Sequence, residues 1–100
     1  MTLPNGYEMQ TTFMNDFAIA EAFGNDAIKD TFKRAFNEWK DNVVYGTELC
    51  VVMNLRCWYW YEKGNHERSR IYSDFYYQVR DYCLDHYKGD DFMFFYNTTD

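Results

Sequence analysis

The sequence predicts an all-α fold, a compact bundle of about four helices. Two segments, residues 25–39 and 65–88, repeat their apolar residues at helical spacing. Between them the segment Thr47–Lys63 (TELCVVMNLRCWYWYEK) is apolar on nearly every side, as expected of a helix that other helices surround. Val, Trp and Tyr also favour strands, and a pair of strands is the competing interpretation of this segment. No turn dipeptide divides it, so a central helix fits better.

The chain of 100 residues has the length of one ordinary domain. With one Pro, five Gly and no Ser- or Gly-rich run, it offers no linker between two domains. We therefore predict a single helical domain over residues 1–100. Residues 1–11 are expected to form an irregular arm, and residues 90–100 a short aromatic tail that packs on the bundle.

The N-terminal half is predicted to hold two helices. Thr12 is a suitable N-cap for a short helix that ends at Phe23, where Gly24 stops it. Glu21 is expected on the solvent side of this helix, and Asn25 is expected to cap the second helix. The inner stripe of the first helix comprises Phe13, Phe17 and Ala20. The stripe of the second comprises Ile28, Phe32, Ala35, Phe36 and Trp39.

The third helix is predicted to begin near residues 43–44 and to end near Lys63. Gly64 followed by Asn65 fits a C-cap and then a new N-cap, from which the fourth helix runs to Lys88. The inner stripe of this fourth helix comprises Ile71, Phe75, Val79, Tyr82 or Cys83, and His86 or Tyr87.

The formal net charge of −6 weighs against binding to a nucleic-acid backbone, which relies on clustered Lys and Arg. Cys50, Cys57 and Cys83 lie in hydrophobic surroundings without a Cys-x-x-Cys spacing, so we expect reduced structural thiols and no zinc site. The segment MTLPNGYEMQ lacks the features of a signal peptide, and no run is long and apolar enough for a bilayer. We expect a cytoplasmic protein with no metal or other cofactor and no membrane or direct nucleic-acid partner.

Candidate catalytic groups are few. Asp81, Asp85 and His86 place two carboxylates at i, i+4 beside an imidazole, which in principle suits a metal or acid-base chemistry. A solvated helix face explains the same residues, and no metal-binding loop or second His nearby completes the set. No sequence feature places a base beside Cys57. We therefore predict no catalytic residue and no enzymatic activity.

Aromatic residues make up 22% of the chain, more than a domain of 12.2 kDa is expected to bury. Protein interfaces are enriched in Tyr and Trp, so the surplus predicts a surface for another protein or for a second copy of the chain. Arg56 is a charge within an apolar helix and must either pair with a carboxylate or anchor a partner. Its candidate carboxylates are Glu62, Asp74 and Asp81. The predicted partner-binding surface comprises Arg56, Tyr59, Tyr61, Tyr72, Tyr76, Tyr77, Asp81, Asp85, Asp90 and Asp91.

The run TTFMNDFAIAEAFGNDAIKDTFKRAFNEWKDN, the later TEL and the ending FFYNTTD resemble a family of small, acidic, uncharacterised helical proteins from phages and mobile elements of gut-type bacteria. The resemblance covers most of the chain and implies a genomic setting, without an activity or site residues. The segment Leu49–Tyr61 departs from the family in being richer in aromatic residues. The matching positions are Phe13, Asp16, Phe17, Ile19, Ala20, Phe23, Gly24, Ala27, Ile28, Asp30, Thr31, Arg34, Ala35, Phe36, Glu38, Trp39, Thr98, Thr99 and Asp100.

Three functions fit the sequence, and we favour the first. It is a non-enzymatic interaction protein that binds and inhibits a host defence protein, of the anti-CRISPR or anti-restriction type, through an acidic, aromatic surface. The second is a homodimeric structural or accessory protein without inhibitory activity. The third is a small metal-assisted enzyme that uses Asp81, Asp85 and His86.

Overall fold

Helices occupy almost all of the chain that the structure describes. The computed structural model describes residues 12–99, and no strand occurs in this range. Its helices are α1 (Thr12–Phe23), α2 (Asn25–Trp39), α3 (Val43–Glu62), α4 (His66–His86) and α5 (Asp90–Thr99). The all-α prediction is confirmed, and the predicted aromatic tail forms a helix of ten residues, α5. The predicted arm, residues 1–11, lies outside the described residues. Within residues 12–99 no helix combines the length and hydrophobicity that crossing a bilayer requires.

A single residue, Gly24, connects α1 to α2. Its φ of 116° lies in the left-handed region that favours glycine. The N–H of Gly24 donates to the carbonyl of Ala20 at 3.1 Å, and its own carbonyl accepts from the N–H of Ile28 at 3.2 Å. The prediction that Asn25 caps α2 is wrong, because Gly24 holds that position. The side-chain Oδ1 of Asn25 instead accepts from Nε of Arg68 in α4 at 2.8 Å.

Asparagine side chains fix the starts of the two long helices. Asn42 accepts a hydrogen bond from the N–H of Tyr45 at 3.0 Å, and Asn65 accepts one from the N–H of Arg68 at 3.1 Å. Each cap satisfies a backbone N–H that has no partner within its helix. The prediction that Asn65 caps the fourth helix is confirmed.

Helix α3 packs against each of the other four helices, as predicted for a central element. In α4 the two open choices are decided, since Cys83 and Tyr87 are buried while His86 is exposed and Tyr82 is half-buried. The buried apolar core comprises Phe13, Phe17, Ala20, Ile28, Phe32, Leu49, Cys50, Val52, Met53, Tyr72, Phe75, Val79, Cys83, Tyr87 and Phe95.

Gly46, in the first turn of α3, lies directly against the ring of Tyr87. The Tyr87 hydroxyl donates to the carbonyl oxygen of Lys40 at 2.7 Å and lies 3.1 Å from that of Asn42. A Cβ atom at Gly46 would overlap this hydroxyl and would lie 3.3 Å from the carbonyl oxygen of Trp39. The absence of a side chain at Gly46 therefore lets the end of α4 bind the connection between α2 and α3.

The two halves of α3 differ in burial. The buried residues of α3 end at Met53, just past its midpoint, and are Gly46, Thr47, Glu48, Leu49, Cys50, Val52 and Met53. The second half exposes large apolar side chains, so the expectation that neighbours surround the whole helix is wrong there. The reason is the length of α5, about 15 Å against about 30 Å for α3 at 1.5 Å per residue. Since Phe95 of α5 packs on Tyr87 beside the start of α3, α5 covers the first half.

Candidate protein-binding surface

A carboxylate in α1 joins three helices. Glu21 accepts hydrogen bonds from Nε of Arg56 at 2.9 Å, from Nε1 of Trp60 at 2.9 Å and from the hydroxyl of Tyr72 at 2.6 Å. Nη2 of Arg56 binds the second carboxylate oxygen, which makes the ion pair bidentate. The side chains of Arg56 and Glu21 are only 12% and 8% exposed. We call these four residues the Glu21 hub; it fixes the second half of α3 against α1 and α4.

The hub corrects three predictions. Glu21 was expected on the solvent side of α1, and Arg56 was expected to pair with Glu62, Asp74 or Asp81; the two bind each other instead. Tyr72, predicted to contact a partner, is fully buried. It lies one turn before Phe75 on the inner face of α4, and its hydroxyl is used by Glu21. Arg56 and Tyr72 therefore do not belong to the exposed surface.

The hub also changes the acid-base properties of its members. Burial alone would raise the pKa of Glu21, but the hydrogen bonds from Arg56, Trp60 and Tyr72 outweigh it and hold that pKa below its ordinary value of 4.5. Burial, and then the hydrogen bond to Glu21, raise the pKa of Tyr72, so this hydroxyl remains a donor at neutral pH.

This lowered pKa predicts a pH dependence of stability. A carboxyl whose pKa falls on folding contributes stability that is fully present above its unfolded pKa, near 4.5, and is lost as the pH falls through the folded value. We expect the difference in unfolding free energy between wild type and Glu21→Gln to be constant at neutral pH and to shrink below pH 4.5. Urea denaturation at several pH values measures this difference. A difference that stays the same down to pH 3 would contradict the prediction.

The second half of α3 carries a row of exposed apolar side chains, Leu55, Trp58, Tyr59 and Tyr61, which we call the α3 ridge. Trp58 is 57% and Tyr61 53% exposed, and their rings meet edge to face with centroids 5.7 Å apart. Leu55, Trp58 and Tyr61 follow one another at three-residue spacing and so share one side of the helix. Tyr59 lies at the edge, with the guanidinium of Arg56 4.3 Å from its ring centroid. Tyr59 and Tyr61 belong to the predicted surface, whereas Leu55 and Trp58 were not predicted to lie in it.

The other predicted residues lie elsewhere on the molecule. Tyr61 contacts His66 at the start of α4, with centroids 5.5 Å apart. Asp85 is nineteen residues further along α4, about 28 Å at 1.5 Å per residue. Tyr61 and the acids at the end of α4 therefore do not form one continuous surface, whereas Tyr77 lies on the same side of α4 as Asp81 and Asp85. Tyr76 is half-buried against the core, whereas the exposed members of the prediction on α4 and α5 are Tyr77, Asp81, Asp85, Asp90 and Asp91.

The residues considered for metal and thiol chemistry take the following positions in the described part of the chain. Within residues 12–99 no group of three or more His, Cys, Asp or Glu side chains is placed to hold a metal ion. The ring of His86 stacks on Tyr82 with centroids 3.9 Å apart, and its Nδ1 lies 2.8 Å from the Tyr82 carbonyl oxygen. Cys50 and Cys83 are free and buried, and burial raises the pKa of both thiols, that of Cys83 to about 11. Both thiols are therefore protonated at neutral pH and poor nucleophiles.

A second exposed apolar site escaped the sequence analysis. Phe23 is 80% and Ile19 61% exposed, and both line a groove of about 540 Å³ between α1 and α2. We call it the α1–α2 groove; its walls include Asp16, Ile19, Ala20, Phe23, Ala27, Asp30, Arg34 and Glu38. The signal was present in the sequence, since Ile19 and Phe23 are an i, i+4 apolar pair outside the stripe of α1 that faces the core.

Comparison with known proteins adds no relative: the chain matches no protein-family model, and no curated protein or solved structure shows significant similarity to it.

Proposed function

We propose that this protein is a non-enzymatic interaction module that binds another protein through the α3 ridge. The observation that carries the proposal is the exposure of Trp58 beside Tyr61 on a helix whose first half lies in the core. Burying such rings against a partner removes a large apolar area from water. In protein interfaces Trp and Tyr are the residues that most often dominate the binding energy.

The Glu21 hub prepares the ridge for binding. Arg56 and Trp60 alternate along α3 with the ridge residues, and both are fixed by hydrogen bonds to Glu21. The helix that presents Trp58 is therefore ordered before a partner arrives. An interface whose backbone is already ordered loses less conformational entropy on association.

We further propose that the partner is a host defence protein and that the module acts as an inhibitor of the anti-CRISPR or anti-restriction type. Residues 11–42 support this through their resemblance to proteins of phages and mobile elements of gut-type bacteria. The net charge of −6 supports it too, since defence nucleases that hold nucleic acid need basic surfaces and an acidic protein is attracted to them. Asp81, Asp85, Asp90 and Asp91 are exposed and would contribute to that attraction.

The substitution Trp58→Ala tests the ridge. Affinity purification from a lysate of a gut-type bacterium, with mass spectrometry, identifies the bound protein, and calorimetry then gives its affinity. We expect Trp58→Ala to weaken binding about 30-fold or more, the effect of losing an anchor worth at least 2 kcal/mol. In cells of that host, wild type should raise the plating efficiency of a restricted phage and Trp58→Ala should not.

Met93→Ala is the matched control, because Met93 is 50% exposed but lies on α5. It should leave the affinity unchanged within about twofold, as expected of a residue outside the interface. Equal affinities of wild type and Trp58→Ala would remove the ridge as the binding surface. A wild-type dimer that Trp58→Ala converts to monomers, seen by sedimentation, would assign the ridge to self-association and favour the accessory protein.

A further inference from the structure

Small apolar residues line the bottom of the α1–α2 groove, and larger apolar residues line its α1 edge. Ala20 and Ala27 are small, so they leave the space between the two helix backbones open. Ile19 and Phe23 stand along the α1 side, one turn apart, and Phe23 has the greatest exposure among the large apolar side chains of the described residues. Such an arrangement suits side chains of a partner that enter between the helices.

The charges along the groove are predominantly negative. Asp16 lines it from α1, and Asp30 and Glu38 line it from α2. Among its described lining residues Arg34 is the only basic one. An occupant with positive charges on both sides of an apolar strip would therefore be attracted. A second copy of the same groove would bring like charges together.

The shape of the groove favours a helix as its occupant. Its walls are α1 and α2, and α1, the shorter, is about 18 Å long at 1.5 Å per residue. A partner helix of three to four turns would match this length. A helix satisfies its own backbone hydrogen bonds, so it can bind through side-chain contacts alone. The walls of the groove are helices and offer side chains rather than free backbone groups.

We propose that the α1–α2 groove binds a basic amphipathic α-helix of a partner protein, with its apolar residues against Ile19 and Phe23 and its Lys or Arg residues beside Asp16, Asp30 and Glu38. The groove is separate from the α3 ridge. Ile19 and Phe23 are each two residues from Glu21 along α1, and their side chains point about 160° away from the side of the helix that faces α3. Binding at the groove therefore does not depend on binding at the ridge.

The test uses the whole chain and a designed 16-residue amphipathic peptide with Leu on one face and Lys on the other. Fluorescence anisotropy of the labelled peptide measures its affinity for the protein. A control peptide of the same length carries Glu in place of each Lys. We expect the Lys peptide to bind at least tenfold more tightly than the Glu peptide, and more weakly as salt increases. Phe23→Ser and Asp30→Lys should each weaken Lys-peptide binding at least fivefold.

Three controls separate the groove from general attraction to an acidic protein. Asp85→Lys makes the same charge change on α4 and should alter the affinity less than twofold. Trp58→Ala should bind the peptide like wild type, so a failed ridge and a failed groove are distinguishable. Circular dichroism should show Phe23→Ser folded, as expected for a side chain that is 80% exposed.

Either of two results would overturn the proposal. One is equal weakening by Asp30→Lys and Asp85→Lys, which would mean that only net charge attracts the peptide. The other is a wild-type dimer that Phe23→Ser dissociates, which would make the groove a contact between two copies.

Discussion

Glu21→Gln is expected to lower the free energy of unfolding by about 3–5 kcal/mol, the range seen when one partner of a buried ion pair is removed. Arg56 would keep its charge while 12% exposed and without its carboxylate. The amide oxygen of Gln can still accept from Trp60 and Tyr72, but its NH₂ would then face Nη2 of Arg56, where only an acceptor fits. Urea denaturation followed by far-UV circular dichroism at pH 7 measures the loss.

Two further variants show whether the hub is responsible. Asp16→Asn makes the same charge change on the exposed side of α1 and should have little effect on stability. Arg56→Met in the Glu21→Gln background should recover part of the loss, because it removes the uncompensated charge. A Glu21→Gln protein as stable as wild type would mean that the four hydrogen-bonded groups contribute nothing net to folding.

Gly46→Ala is expected to destabilise the protein by about 2–4 kcal/mol, from overpacking and the loss of hydrogen bonds. At an unobstructed helix position the same change would stabilise by about 1 kcal/mol, since Ala is the better helix former. The reversal comes from Tyr87, whose hydroxyl occupies the space of the new methyl group and is itself bound to the Lys40 carbonyl. Thermal and urea unfolding of the variant give the sign and the size of the effect.

Tyr87→Phe provides the partner substitution. Alone it should cost about 1–2 kcal/mol, because the carbonyl oxygens of Lys40 and Asn42 lose a donor. In the Gly46→Ala background it should cost less or even stabilise, because it removes the atom that the methyl group strikes. If Gly46→Ala stabilised the protein, or if the effects of the two substitutions were strictly additive, the overlap between the new methyl group and the Tyr87 hydroxyl would not be the cause of the destabilisation.

Local signals in the sequence predicted most of the fold. Asn65 and the break before residue 43 set helix boundaries through caps, which need only a few neighbouring residues. The core stripe of α4 follows from its spacing, because residues three or four apart share a face. The depth of burial along α3 was not predictable in the same way, since it depends on how far the short α5 extends.

The candidate surfaces were harder to predict, because they depend on contacts between distant residues. Glu21 and Arg56 are 35 residues apart, and neither sequence neighbourhood shows that the two side chains meet. Helical spacing alone does not decide whether a Tyr on α4 faces the core or the solvent, because tyrosine occurs in both places. Tyr72 and Tyr77 were therefore both assigned to the surface, although Tyr72 is buried and Tyr77 is 55% exposed. Net charge and aromatic content favoured an interaction surface, but they do not show which of the acids and rings lie close together in the fold.

The one-residue connection at Gly24 has a consequence for selectivity. Gly24 is hydrogen-bonded to both α1 and α2, and it is the only residue between them. This short connection restricts how far the two helices can move apart to accommodate an occupant. The connection between α1 and α2 sets the width of the groove, so a bound helix must fit that width. A side chain aimed at Ala20 and Ala27 must therefore fit the space already present between the two helices, and one too large for that space would be excluded on size alone.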